Sequence, residues 1–153
     1  LEVGFGTGAG TLQLVPYASR ITAIETDCEM LDFALRVLPK QADWKQADIL
    51  DYCPGEKYEV VVMIEVLEHI KDYKRVLQNI KDLLLPGGVL YMSARNANTT
   101  LRKNELHERE WKASEFRVAL QDYFSDVTLW DYTFTQKQDD DTQWTPLLGK
   151  AIK

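Results

Sequence analysis

Four glycines at alternate positions, Gly4, Gly6, Gly8 and Gly10, stand directly behind the stub Leu1-Glu2-Val3. Glycine adopts left-handed backbone angles at little cost and carries no Cβ, so such a run makes a tight turn that lets a ligand approach the backbone. Where the turn opens a helix, the first helical amides face the same ligand. A chain of this kind has to set further strands beside the first one. Its longest apolar run, Val60–Ile64, has the length of a buried strand, and nothing approaches the eighteen or so apolar residues of a membrane span. A buried parallel strand usually takes about five or six residues. Leu1–Val3 therefore reads as the end of a strand whose start, with an upstream segment, lies outside this numbering, and the cleft beside the glycines is expected to stand open on that side.

Short apolar runs alternate with helical stretches. Ile21–Ile24 reads as a strand and Cys28–Leu38 as a helix with Met30, Leu31, Ala34 and Leu38 on one face. Trp44–Ala47 is a short strand and Lys57–Ile64 the clearest buried one. Tyr73–Leu85 is an amphipathic helix, closed by Pro86-Gly87-Gly88, which turns the chain into a strand at Val89–Ser93. This order predicts an α/β fold, a doubly wound parallel sheet with helices on both faces. Lys112–Tyr123 is expected to be a helix with Phe116, Leu120 and Phe124 turned inward. Asp126–Phe134 and Trp144–Ile152 then make an antiparallel hairpin at one edge, joined by the polar loop Thr135–Asp141. At 153 residues the prior is one domain, residues 1–153. With 45% apolar and 27% charged residues, a disordered or collagen-like chain is excluded.

Twenty-one residues after Gly4 comes Glu25, at the tip of the second strand. An acid there can accept hydrogen bonds from both hydroxyls of a ribose. Gly4-x-Gly6-x-x-Ala9 also fits the dinucleotide fingerprint of oxidoreductases. Glu2 weighs against that reading, because a carboxylate two residues before the first glycine suits a cationic amino group and suits a pyrophosphate poorly.

These segments resemble the motifs of class I S-adenosylmethionine-dependent methyltransferases of the small-molecule type, such as the ubiquinone-type O-methyltransferases. Leu1-Glu2-Val3-Gly4-Phe5-Gly6-Thr7-Gly8 resembles the first motif, with Phe5 for a small residue. Ala23-Ile24-Glu25-Thr26-Asp27 resembles the second, with Glu for the commoner Asp. Gln46-Ala47-Asp48-Ile49, the run from Tyr58 to Ile70, and Leu85-Pro86-Gly87-Gly88-Val89-Leu90 resemble the later ones. The resemblance implies a Rossmann-like seven-stranded sheet with an antiparallel carboxyl-terminal edge, N-terminal lid helices absent from this chain, and S-adenosyl-L-methionine as cofactor. It implies that Gly4, Gly6 and Gly8 line the methionine and ribose, that Glu2 neutralises the ammonium and that Glu25, with Thr26, holds the ribose. Asp48 and the Ile49 amide then read adenine, and Ile64 lies beside the sulfonium.

The chain has only two histidines. His69 ends Glu65-Val66-Leu67-Glu68-His69, behind the fourth strand. If a helix starts there, Glu65, Glu68 and His69 share a face. His107 follows the fifth strand, so both rings belong to the edge where such sheets bind ligands. Three readings stand open. His69 or His107 is a general base toward a substrate hydroxyl. Alternatively, Glu65, Glu68, His69 and His107 hold a divalent cation, a constellation similar to that of small-RNA 3′-terminal 2′-O-methyltransferases. Or the acids suit a helix start and the imidazoles pack or orient substrate. The favoured expectation has no metal.

Net charge is −6, which makes a broad grip on nucleic acid unfavourable. Trp44, Trp111, Trp130 and Trp144 have no stacking-platform spacing and read as packing residues. Cys28 and Cys53 are too few for a disulfide framework, which makes the cytoplasm the expected compartment. The expected activity is methyl transfer to a small-molecule acceptor, at oxygen. The alternatives are RNA methylation, a nicotinamide-dependent oxidoreductase and a non-catalytic cofactor-binding module.

Overall fold

A computed structural model describes residues 1–98, 104–130, 136–137 and 147–153. The strands are β1 (Glu2–Val3), β2 (Thr22–Glu25), β3 (Asp43–Gln46), β4 (Tyr58–Met63), β5 (Leu84–Ala94), β6 (Ser125–Trp130), β7 (Gln136–Lys137) and β8 (Leu147–Ile152). The helices are α1 (Ala9–Leu14), α2 (Cys28–Val37), α3 (Tyr73–Leu83) and α4 (Ala113–Gln121). One sheet runs β3-β2-β1-β4-β5-β8-β6-β7. β1 to β5 are parallel, whereas β8 is antiparallel to both β5 and β6. This is the expected sheet, with seven principal strands and the two-residue β7 paired to β6 as an eighth. Within the expected edge hairpin, Phe134 and Trp144 lie outside the described residues, as does most of the loop Thr135–Asp141.

Alternate residues of β2 enter different cores, as strand geometry requires. Ala23 packs with Phe5, Ile21, Ala34 and Trp44. Ile24 joins the larger cluster built with α3 and α4, which includes Val61, Met63, Leu77, Ile80, Phe116 and Leu120. α3 contributes Val76, Leu77, Ile80 and Leu83, all buried at helical spacing, and its amino end is capped by the Asp72 carboxylate on the Arg75 amide at 3.2 Å. Trp44 and Trp111 are buried in the packing roles expected of them. None of the described helices is long and apolar enough to cross a membrane.

Two local expectations are corrected. The helix ends at Leu83 and β5 begins at Leu84, so Pro86-Gly87-Gly88 lies inside the strand span instead of before it. Leu84 pairs with Tyr58, and the register then jumps to Val89 opposite Val60. Gly87 takes the bulge at φ 76°, and a Cβ on Gly88 would stand 2.9 Å from the Leu85 carbonyl oxygen. The second correction concerns the segment behind β4. Glu65 sits in the left-handed region at φ 54°, and the turn that follows, Leu67–His69, is a 3-10 turn. An α-helical face does not start at Glu65.

Candidate active site

The strand order reverses between β1 and β4, which places the crevice for a ligand at the carboxyl ends of these two neighbours. The glycine loop leaves β1 there and the Glu65–His69 turn leaves β4. Gly4 and Gly6 both have positive φ, at 74° and 52°, for different reasons. A Cβ on Gly4 would lie 2.3 Å from Val66 Cγ2, so that position lets the two loops pack. Around Gly6 nothing lies within 4 Å of an added Cβ, so its open side is available to a ligand.

Glu25 is fixed against this loop. Its Oε2 accepts from the Gly6 amide at 3.0 Å, and its Oε1 accepts from the Thr26 and Asp27 amides at 2.7 and 3.2 Å. The Thr26 hydroxyl also donates to Oε1, at 3.2 Å. Glu2 is buried beneath the loop and accepts from the Thr11 hydroxyl. Burial raises its pKa above the ordinary carboxylate range, against the pull of that hydrogen bond. A cavity of about 270 Å³ between loop and β4 is lined by Glu2, Gly4, Phe5, Gly10, Val62 and Ile64, among others. Asp48 stands exposed at the end of β3 with Oδ1 taking the Leu50 amide at 2.9 Å, and Ile49 beside it is buried.

A second group of side chains occupies the ends of β4 and β5. Glu68 is 1% exposed, and its Oε2 has no hydrogen-bond partner. Its carboxyl is pushed up to about 7, chiefly by burial and further by the neighbouring Glu65 carboxylate, while Arg95 opposes the rise. One carboxylate oxygen of Glu68 and one ring nitrogen each of His69 and His107 lie within 4.8 Å of one another. The rings meet edge to face at 4.8 Å between centroids. His69 Nδ1 lies 3.1 Å from the Leu106 carbonyl oxygen, and His107 Nδ1 lies 3.4 Å from Glu110 Oε1. Since a carbonyl only accepts, His69 carries its proton on Nδ1; the carboxylate asks the same of His107. With Nδ1 engaged in this way, Nε2 is the nitrogen of each ring left to face an acceptor.

Of the four residues grouped from the sequence, Glu65 is the one left out. The left-handed turn at Glu65 folds its carboxylate onto Ser93, whose hydroxyl accepts from the Glu65 amide at 2.9 Å and donates to Glu65 Oε1 at 2.7 Å. Ser93 and Glu110 were not assigned to the site from sequence. The signal for Ser93 was its position at the carboxyl end of the strand expected beside the fourth, where loops converge.

The profile of the methyltransferase-domain family matches residues 1–92, more than half of the chain. The chain belongs to this family. It is 32% identical over 105 residues to a ubiquinone biosynthesis O-methyltransferase of Actinobacillus pleuropneumoniae, covering 63% of this chain and 45% of that protein. It is 34% identical over 104 residues to nodulation protein S of Rhizobium tropici, covering 64% and 44%. The chain thus spans less than half the length of the curated relatives it matches. In fold it is similar to the N-methyltransferase NodS of Bradyrhizobium japonicum, solved with S-adenosyl-L-homocysteine. The TM-score there is 0.73 at 21% identity, over 99% of this chain and 76% of that one. The geometry of the site is compatible with a ligand of the kind that neighbour holds. Glu2 lines a cavity with room for a small cationic group, and Glu25 stands beside the open Gly6, where ribose hydroxyls would meet a carboxylate.

Proposed function

We propose that residues 1–153 work as one catalytic unit that moves the methyl group of S-adenosyl-L-methionine to an oxygen of a small-molecule acceptor. The observation that carries the reading is the pairing of two sites on adjacent strand ends. The cradle at β1 and β2 suits the cofactor, and the Glu68–His69–His107 group at β4 and β5 suits an acceptor's proton. In this reading Gly4, Gly6 and Gly8 line the cofactor and Glu2 faces its ammonium. Glu25 and Thr26 take the ribose, Asp48 and Ile49 take the adenine, and Ile64 borders the reacting centre. The bound cofactor supplies an activated methyl group. The protein aligns the acceptor, excludes water and removes the acceptor's proton. His69 or His107 takes that proton at Nε2, because Nδ1 of each ring is already engaged.

A curated relative whose name specifies O-methyl transfer supports oxygen, while the similar solved structure is of an N-methyltransferase. The net charge of −6 argues against a nucleic-acid acceptor. The exposed, unbridged Cys28 and Cys53 support a cytoplasmic setting. A second reading rests on the three-residue group itself. Glu68, His69 and His107 are a mixed oxygen and nitrogen donor set that suits a divalent cation, which would polarise an acceptor oxygen.

The test is incubation with ¹³C-methyl-labelled cofactor and a panel of phenols, catechols and primary amines, read by NMR. O-methyl product is expected, with EDTA leaving the rate unchanged if an imidazole is the base. Loss in EDTA and recovery with Mn²⁺ or Mg²⁺ would select the cation reading. Label found only on nitrogen would overturn oxygen as the target. Binding of S-adenosylhomocysteine with no methylated product would favour a non-catalytic module.

A further inference from the structure

Residues 104–111 carry His107 to the site, and much of what holds them there is a set of backbone hydrogen bonds at the sheet edge. The Glu108 and Arg109 amides both donate to the Glu68 carbonyl, at 2.8 and 3.2 Å, and the Leu106 carbonyl receives the His69 ring. Bonds of this kind exchange with water at small net cost. Arg109 adds contacts of a different kind. Its guanidinium carbon lies 4.0 Å from the centre of the Trp111 ring and 5.2 Å from that of Tyr73, and Nη2 reaches Glu115 Oε2 at 3.4 Å. Trp111 is 1% exposed and locked into the sheet edge through the Arg95 carbonyl at 2.9 Å, so it is a rigid anchor.

We propose that Arg109 is a positioning residue that pins the 104–111 loop to the amino ends of α3 and α4 and so holds the His69–His107 pair in register with Glu68. The inference rests on the acceptor-site reading above. Its chemical consequence is a tautomer. The Leu106 carbonyl selects the Nδ1–H form of His69, and only a loop held in place keeps that carbonyl at 3.1 Å. A flat guanidinium stacks on an indole in a way that the compact ammonium of lysine does not reproduce. Shifts of about 1 Å at such sites cost on the order of 10²-fold in rate.

With only two histidines, the imidazole region of a long-range ¹H–¹⁵N spectrum contains two rings. Spectra are recorded with EDTA and saturating S-adenosylhomocysteine, for the parent chain and for Arg109→Ala, Arg109→Lys and Glu115→Gln. The parent is expected to show His69 as the Nδ1–H tautomer. Arg109→Ala and Arg109→Lys are expected to lose that preference, with affinity for S-adenosylhomocysteine changed by less than about twofold, below the scale of one lost hydrogen bond. Glu115→Gln is expected to keep it, since the stack remains. Unchanged ring signatures in both Arg109 variants, with only a lower melting temperature, would reduce Arg109 to a structural role and overturn the proposal, as would full retention of the tautomer in Arg109→Lys. Should Arg109→Ala not fold, the lysine variant decides. The spectra need no methyl acceptor, so a failed methyl-transfer assay leaves this result standing, and the reverse holds too.

Discussion

At Gly4 the backbone stands at φ 74° with Val66 of the β4 turn closed down upon it. Gly4→Ala therefore meets two penalties. The left-handed conformation costs about 1–2 kcal/mol for a residue with a Cβ, and relieving the contact with Val66 costs about 1–3 kcal/mol. A fall in stability of at least about 2 kcal/mol is expected from denaturant unfolding, on the combined scale of those two effects; an unchanged midpoint would show that the two loops do not pack as described. Residues of this kind were legible in the sequence, because glycine spacing and the offset to Glu25 are local properties of the chain. Glu65 was not legible in the same way. Its helical grouping with Glu68 and His69 fails because Ser93, 28 residues away, holds both its amide and its carboxylate in a left-handed turn. Nothing in the spacing of Glu65, Glu68 and His69 reports that partner.

Among the elements, α2 links a cap to the site. Asp27 Oδ1 accepts from the Glu29 amide at 2.8 Å and more weakly from Met30 at 3.4 Å, while the Asp27 amide donates to Glu25. The residue that caps the helix through its side chain thus also braces the acid at the end of β2 through its backbone amide, so fraying of the cap would loosen that brace. Asp27→Ala is expected to lower stability by about 0.5–2 kcal/mol and to weaken binding of S-adenosylhomocysteine, read by thermal unfolding and calorimetry on the same preparations. Lost stability with unaltered binding would separate the cap from Glu25. Both boundaries of this helix were legible within a residue, since a short polar cap precedes an amphipathic run. The start of β5 was misplaced for a physical reason. Pro86-Gly87-Gly88 punctuates a chain locally, but pairing of Leu84 with Tyr58 draws the segment into the sheet and leaves the glycines as a bulge.

Over the molecule as a whole, the strand order brings together what the chain keeps far apart. β1 lies between β2 and β4, so the glycine loop, Glu25 and the Glu68 turn open on one edge although more than forty residues separate Glu25 from Glu68. The alternation of strand and helix made this sheet legible, including its antiparallel edge, because each connection in such folds follows a fixed hand. Convergence of Glu68, His69 and His107 was only partly legible, since it depends on how residues 104–111 fold back over the edge. In the proposed function the cradle takes a nucleoside that carries an amino acid and no pyrophosphate. Calorimetric titration with S-adenosylhomocysteine and with NAD tests it most directly, using the parent chain and Glu25→Ala. The parent is expected to bind S-adenosylhomocysteine and not NAD, and Glu25→Ala is expected to weaken that binding by about 1–3 kcal/mol through the lost charge-assisted hydrogen bonds. Binding of NAD without binding of S-adenosylhomocysteine would contradict it.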